Sequence, residues 1–480
     1  MGNYSRLFLV LASLGASLGL GSIFIYPYLS FNLTSAFLIQ FIVALLLAGV
    51  PLIMLETSIG QYFDKNIVDL FASIKKWLSS VGWLMFFNSL IVMSFYAVLV
   101  SWSIIYVFVS FGMQWKSNPN EYFLNNVIQA SEGIGKFTQF SLPVFIALII
   151  AWVIVFLFIR KGFESLKKCF LITLPALAFL MLFFLFYSLN LDNALNGIYD
   201  FMKPDFRILL DLGAWANAFL LAIISLGLAF GAMHAFGRKS GHGFIFGNAS
   251  IVAIFELLFS IAFALIVFGI LGFLSMKTEA SSVISSDFIF PFTILAQALP
   301  FFYKPTLLSI LFFVFIGLFF ILGTASLAYS ISHVLVHKFS TKHINAAIIV
   351  SGFGFLLSLL FAVKPGIYIM DIVMHFVYYN ILIAILLEAL AIGWFFDCGK
   401  ISGYINNTSV IKIGALWKFV VRYFIPLIAI WLIFVQLKSD LSLNYNNYAW
   451  YHLLLFGVGT VIVPLVISFL MPQKLLDKRK

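Results

Sequence analysis

Apolar runs of about twenty residues recur along almost the whole chain, separated by short polar stretches. Runs of that length read as membrane-spanning helices. Twelve can be placed, near 7–29, 36–61, 82–111, 141–159, 169–189, 212–236, 244–275, 305–336, 344–362, 370–396, 413–436 and 449–471. The longest polar connections, near 114–140, 190–211, 276–304 and 397–412, are loops between spans, and no soluble domain is attached. The first span lacks a small-residue cleavage site after a short apolar core, so it is expected to be retained and not removed as a signal peptide. The fold class expected is an all-α integral membrane protein of about twelve helices, a single domain over 1–480.

Composition strengthens this picture. Of 480 residues, 63% are hydrophobic and 10% charged, against roughly 45–50% and 25% in soluble domains. Fifty-eight phenylalanines cannot all hide in a soluble core of this size. A soluble enzyme, a disordered chain and a secreted disulfide scaffold are excluded. The two cysteines, Cys169 and Cys398, form neither a framework nor a CxxC motif.

The net charge of +10 would suit nucleic acid, but its distribution argues otherwise. With the N-terminus inside, 20 of the 28 Lys and Arg fall on the cytoplasmic side, while most acidic residues fall outside. This is the positive-inside signal of a membrane protein, with both termini cytoplasmic. No nucleic-acid partner is needed to explain it.

A short pattern occurs twice. Ser17-Leu18-Gly19-Leu20-Gly21 in the first span returns as Ser225-Leu226-Gly227-Leu228-Ala229 in the sixth. Five spans lie between equivalent points, so the second copy is inverted in the membrane. The halves expected are 6–190 and 210–397, followed by two further helices over about 412–472. Small residues also serve close helix crossings. A glycine-interrupted pair in inverted positions points instead to unwound helices around a central binding site, since freed backbone groups are tolerated only where they line a cavity.

Four stretches around these points resemble the neurotransmitter:sodium symporter family. Gly15-Ala16-Ser17-Leu18-Gly19-Leu20-Gly21-Ser22 followed by Tyr26-Pro27-Tyr28 is similar to the family's G-N-x-x-G-L-G-N and R-F-P-Y. Gly49-Val50-Pro51-Leu52, Leu55-Glu56 and Gly60-Gln61 match G-I-P-L-x-x-L-E-x-x-x-G-Q. Ser94-Phe95-Tyr96-Ala97-Val98 with Ser101-Trp102 resembles S-Y-Y-S-V-x-x-G-W. The last stretch runs from Asn193-Ala194-Leu195-Asn196-Gly197 through Pro204-Asp205-Phe206 into 225–231. With Lys161-Gly162-Phe163-Glu164, the resemblance spans the whole chain.

The resemblance implies a bacterial-type sodium:amino-acid symporter of the inner membrane, working by alternating access. By it, the amides of Leu20 and Gly21 and the hydroxyl of Tyr96 receive a substrate carboxylate. Helix-end N–H groups suit that anion. Gly19 stands where monoamine carriers resemble one another in having aspartate, which leaves room for the substrate's own carboxylate. Val92, Ile224, Ser225, Gly227, Phe230, Ser326 and Tyr329 fall at the remaining substrate positions, an apolar and aromatic lining that favours a neutral, hydrophobic amino acid.

Sodium wants oxygen ligands. One family site maps to carbonyls of Gly15, Leu18 and Ile321 with the hydroxyl of Thr324, although Ala325 replaces a family serine. The other maps to the Ser17 carbonyl with Ser22, Ser225 and Glu256, where the family uses Asn, Thr and Asn for the side chains. Glu256 is the sole charge within 251–270, and a charge at mid-bilayer is costly. Ser260, one turn on, stands where the family pairs serine with chloride dependence. Glu256 therefore has three functional readings: sodium ligand, substitute for chloride, or proton carrier. The bland reading is a protonated carboxyl bonded to a neighbouring helix. Glu56 is expected to anchor the broken helices, and Glu388 to make a buried hydrogen bond.

The family's outer ion pair is replaced by Ile25 and by Met374 or His375, which implies an apolar gate closed by Tyr96 and Phe230. His333 and His337, spaced i,i+4 beside Lys338, read as a solvated interfacial face in preference to a metal site. No HExxH, P-loop or nucleophile motif suggests an enzyme. Two rivals to sodium symport remain: proton-coupled transport through Glu256, and a non-transporting membrane receptor or scaffold of the same fold.

Overall fold

The computed structural model describes residues 6–17, 19, 21–116, 118–135, 139–240, 243–277, 288–408, 412–442 and 445–471. Leu18 and Leu20 lie outside the described residues, as does the basic segment after 471. Helices dominate, and among the described residues the sole β pairing is an isolated bridge from Phe140 to Val363.

Ten helices are long and apolar enough to cross a membrane, and two bent pairs raise the number to twelve. In chain order the helices that matter here are α1 (Arg6–Ser17) and α2 (Gly21–Leu33), bent by 53° at their junction, then α3 (Phe37–Phe63), α4 (Lys76–Val109), α5 (Leu142–Ile159) and α6 (Phe163–Leu189). After a short helix over Ala194–Met202 come α7 (Leu212–Ser225) and α8 (Ala232–Lys239). Then follow α9 (Ile245–Leu274), α10 (Pro305–Phe339), α11 (His343–Ala362), α12 (Gly366–Phe395), α13 (Ala415–Ser442) and α14 (Trp450–Leu470). The second bent pair turns by 112° between Leu210 and Leu212, whereas the two interruptions that fall on the repeated motif are the α1–α2 junction and the stretch between α7 and α8.

These helices are apolar nearly all round, because both the bundle interior and the lipid are apolar. What separates them is burial. The most apolar 18 residues of α4 are 78% buried inside the protein, while those of α14 are 17% buried. α4 and α10 pack along each other at the centre, with α1, α8 and α9 around them, and α14 borders the rim. The site therefore forms where the two interrupted helices meet this central pair.

Candidate functional site

The second break supplies the clearest chemistry. Between Ser225 and Ala232 the backbone turns through positive φ at Gly227 (63°), Ala229 (65°) and Gly231 (72°). A side chain on Gly227 would strike the Ala16 carbonyl, so the two interrupted helices touch backbone to backbone. Freed polar groups inside a membrane protein must find partners. Here the Ala229 N–H donates to Glu56 Oε1 (2.7 Å), and the Ala229 carbonyl accepts from Asn88 Nδ2 (3.4 Å). The Phe230 carbonyl accepts from Ser89 Oγ (2.6 Å) and Ser330 Oγ (2.9 Å). Glu56 thus has the anchoring place expected of it. Asn88, Ser89 and Ser330 were missed; their signal is polarity on the two helices packed along each other at the centre.

At the first break, Gly19 fits between facing groups. A Cβ there would lie 3.1 Å from the Ile224 carbonyl and 3.2 Å from the Tyr96 hydroxyl. One on Gly21 would lie 2.5 Å from Ser225 Cβ. A small cavity opens beside this junction. Of the expected substrate residues, Val92, Tyr96, Ile224, Gly227 and Phe230 line it, together with Gly19. Gly21 and Ser225 press on each other beside Gly19. Ser326 and Tyr329 lie off it: Ser326 Oγ donates to the Leu322 carbonyl (2.9 Å), and Tyr329 stacks on Phe236 at 5.6 Å. The same helix instead presents Gly323 and Leu327, while α12 adds Val377, Tyr378 and Ile381. No charged side chain lines the cavity among the described residues.

A second cluster joins α2, α7 and α9. Glu256 Oε1 accepts from Ser22 Oγ (2.5 Å) and from Ser260 Oγ (3.2 Å). Glu256 Oε2 and Ser225 Oγ are buried without a hydrogen-bond partner. All four residues are buried. Unpartnered buried oxygens are costly, and an all-oxygen set with a carboxylate suits a hard cation. Ser22, Ser225 and Glu256, expected at one sodium site, are therefore brought together, with Ser260 added.

At the other expected site, Gly15 and Ser17 on α1 and Ile321 and Thr324 on α10 are buried on helices that pack together. Thr324 Oγ1 donates to the Phe320 carbonyl (2.7 Å), leaving its lone pairs free to accept or ligate. Ser17 Oγ donates to the Leu14 carbonyl (3.0 Å).

Aromatic rings pack behind Tyr96. Phe24 stacks on Phe320 (5.5 Å) and meets Phe290 edge-on (5.7 Å), and Phe320 packs against Tyr96 (5.7 Å). Met374 is buried, while His375 turns to α13, 2.8 Å from Asp440 and 3.2 Å from Gln436.

The opposite, basic face is pinned by ion pairs. Arg238 Nε donates to Asp64 (2.9 Å), its Nη1 lies 3.3 Å from His333, and Lys338 donates to Asp69 (3.0 Å). The expected solvated face at His333 is corrected here. That ring is 5% exposed and engaged by Arg238, because α8 covers it.

Comparison with known proteins agrees with this geometry. The model of the sodium:neurotransmitter symporter family matches residues 3–121 and 112–476. An uncharacterized sodium-dependent transporter of Methanocaldococcus jannaschii is 30% identical over 471 residues, covering 96% of this chain and 94% of its own. Sodium-dependent nutrient amino acid transporter 1 of Drosophila pseudoobscura pseudoobscura is 26% identical, covering 95% and 79%. That of Drosophila mojavensis is likewise 26% identical, covering 95% and 80%. Ten to twelve apolar spans, two helices interrupted at a repeated glycine motif and full-length matches lead to one conclusion: the chain is an integral membrane protein of the sodium:neurotransmitter symporter family.

Proposed function

We propose that this transporter couples a neutral, hydrophobic amino acid to sodium and moves both inward by alternating access around the cavity at the two breaks. The observation that carries this reading is the cavity's chemistry. Gly19, the Tyr96 hydroxyl and the unwound backbone make one polar end, and Val92, Ile224, Phe230 and Leu327 make an apolar remainder without charge. A zwitterion whose side chain is apolar satisfies both ends, whereas lysine or glutamate would bury an unpaired charge.

The sodium ligands proposed are Ser22, Ser225 and Glu256 with the Ser17 carbonyl at one site, and Gly15, Leu18, Ile321 and Thr324 at the other. Support for the first is the unpartnered Glu256 Oε2 and Ser225 Oγ in one buried cluster. Glu256 supplies a full negative charge, so it serves as both ligand and stand-in for chloride, with Ser260 orienting it. The two breaks belong to two inverted five-span halves, and the Arg238 face is cytoplasmic, which agrees with its basic loops.

Equilibrium binding to purified protein tests this reading. Leucine-like substrates should bind with an affinity that rises with sodium, while lysine and glutamate should not bind. Sodium-independent binding, or preference for a charged amino acid, would overturn it.

A further inference from the structure

On the α8 side of the second break, three buried titratable side chains from three helices meet: Glu56 of α3, His234 of α8 and Glu388 of α12. Glu56 and Glu388 are 0% exposed and His234 is 2% exposed. The imidazole stands between the two carboxylates. Nε2 is 2.9 Å from Glu388 Oε1, and Nδ1 is 3.3 Å from Glu56 Oε2. The Nε2–Glu388 contact is a hydrogen bond, the Nδ1–Glu56 contact is an ion-pair distance without hydrogen-bond geometry, and the second oxygen of Glu388 is unpartnered.

A neutral imidazole carries one N–H, so it can donate to one carboxylate while turning a lone pair on the other. Only the doubly protonated ring can donate on both sides. Among the described residues neither carboxylate is paired with Lys or Arg, which leaves the ring as the cation at hand. The helices packed on α8 offer no other charge to the ring. α3 contributes Glu56, the His333 of α10 is taken by Arg238, and the Arg6 of α1 lies over Phe244. Phe71 meets the ring edge-on at 6.2 Å. A divalent metal would draw its ligands around a single ring nitrogen. One donor atom from each of the three residues lies within 4.8 Å of the others, so a divalent metal is the rival occupant, and exposure to zinc alone separates it from a proton held between opposite ring nitrogens.

We infer that Glu56, His234 and Glu388 form a proton-binding site in which an imidazolium clamps α8 to α3 and α12. The position gives the proton a consequence. The other oxygen of Glu56 holds the Ala229 N–H at the break, and Arg238 pins the far end of α8 to Asp64. When the ring loses its proton, it keeps one N–H, one carboxylate contact becomes a lone-pair repulsion, and the hold on α8 weakens. Proton occupancy and the seating of this half-helix are thereby linked. The inference concerns α8 itself and stands apart from the choice of substrate and of coupling ion.

Two measurements on the purified full chain test it, and neither uses transport. In [15N]histidine NMR at pH 7, the resonance absent from His234→Gln should show both ring nitrogens protonated. An unprotonated nitrogen there, or one equivalent of tightly held zinc after exposure to zinc alone, would overturn the site. Hydrogen exchange of 232–239, corrected for its chemical pH dependence, should speed up by up to roughly tenfold per pH unit as the ring deprotonates. It should be flat with pH in His234→Gln, and equal pH dependence in both proteins would contradict the clamp. Should His234→Gln fail to fold, Glu388→Gln removes one acceptor and keeps its shape. The His234 resonance should then move, and an unmoved resonance rejects the bridge.

Discussion

At Gly19, the Ile224 and Ser225 carbonyls and the Tyr96 hydroxyl stand close around the place a Cβ would take. The cavity depends on the absence of that Cβ, and its one aimed hydroxyl depends on Tyr96. Tyr96→Phe should weaken substrate binding by about 1–2 kcal/mol, the range for a hydrogen bond to a charged group. Unchanged affinity in a folded variant would remove Tyr96 from the site. Glu256→Gln preserves shape and removes the one charge from the Ser22–Ser225–Ser260 cluster. Sodium activation should shift to much higher concentration, because Coulomb interactions are strong where water is excluded. If the curve stays put, Glu256 is a structural carboxyl. Thr324→Ala should likewise move the sodium activation curve while leaving binding at saturating sodium nearly intact. An unmoved curve would reject Thr324 as a ligand.

The interrupted helices were legible in the sequence because backbone that leaves the helix needs particular residues, and Gly227 and Gly231 sit at positive φ. Their supports were not legible. Asn88 and Ser89 bond carbonyls 141 residues away, and Ser330 bonds one 100 residues away. Pairings of a side chain with a distant carbonyl leave no local pattern. Ser326 and Tyr329 show the same limit on the α10 face. Which residues of a uniformly apolar helix face the cavity depends on its rotation, and the structure turns Gly323 and Leu327 inward. The supports are nonetheless testable as a unit. Ser89→Ala and Ser330→Ala together leave the buried Phe230 carbonyl without a side-chain donor. The pair should cost about 1–3 kcal/mol, more than the two single changes combined. Thermal unfolding of the singles and the double measures this, and strictly additive effects would contradict a shared role.

Across the molecule, enclosure falls from α4 at the centre to α14 at the rim, and the chemistry follows it. Cavity, oxygen cluster and proton clamp all attach to the two breaks, so a movement of α8 reaches each of them. One face is held by aromatic rings around Phe24 and Phe320, the other by the Arg238–Asp64 and Lys338–Asp69 pairs. Stacked rings separate without leaving charges behind. The ion pairs bring a buried Lys338 and a largely buried Arg238 to carboxylates that keep more water, so they bind more firmly than exposed pairs do. The span count and basic-side bias were legible because the bilayer fixes span length and loop charge. The clamp was not, since His234 and Glu388 are 154 residues apart in sequence.

The measurement that tests the central claim most directly is uptake of a labelled amino-acid panel into proteoliposomes under an imposed sodium or pH gradient. Neutral hydrophobic amino acids should accumulate above equilibrium only when sodium is higher on the outside, and lysine and glutamate should be excluded. Failure of any amino acid to accumulate with sodium, or accumulation driven by the pH gradient alone, would contradict the account.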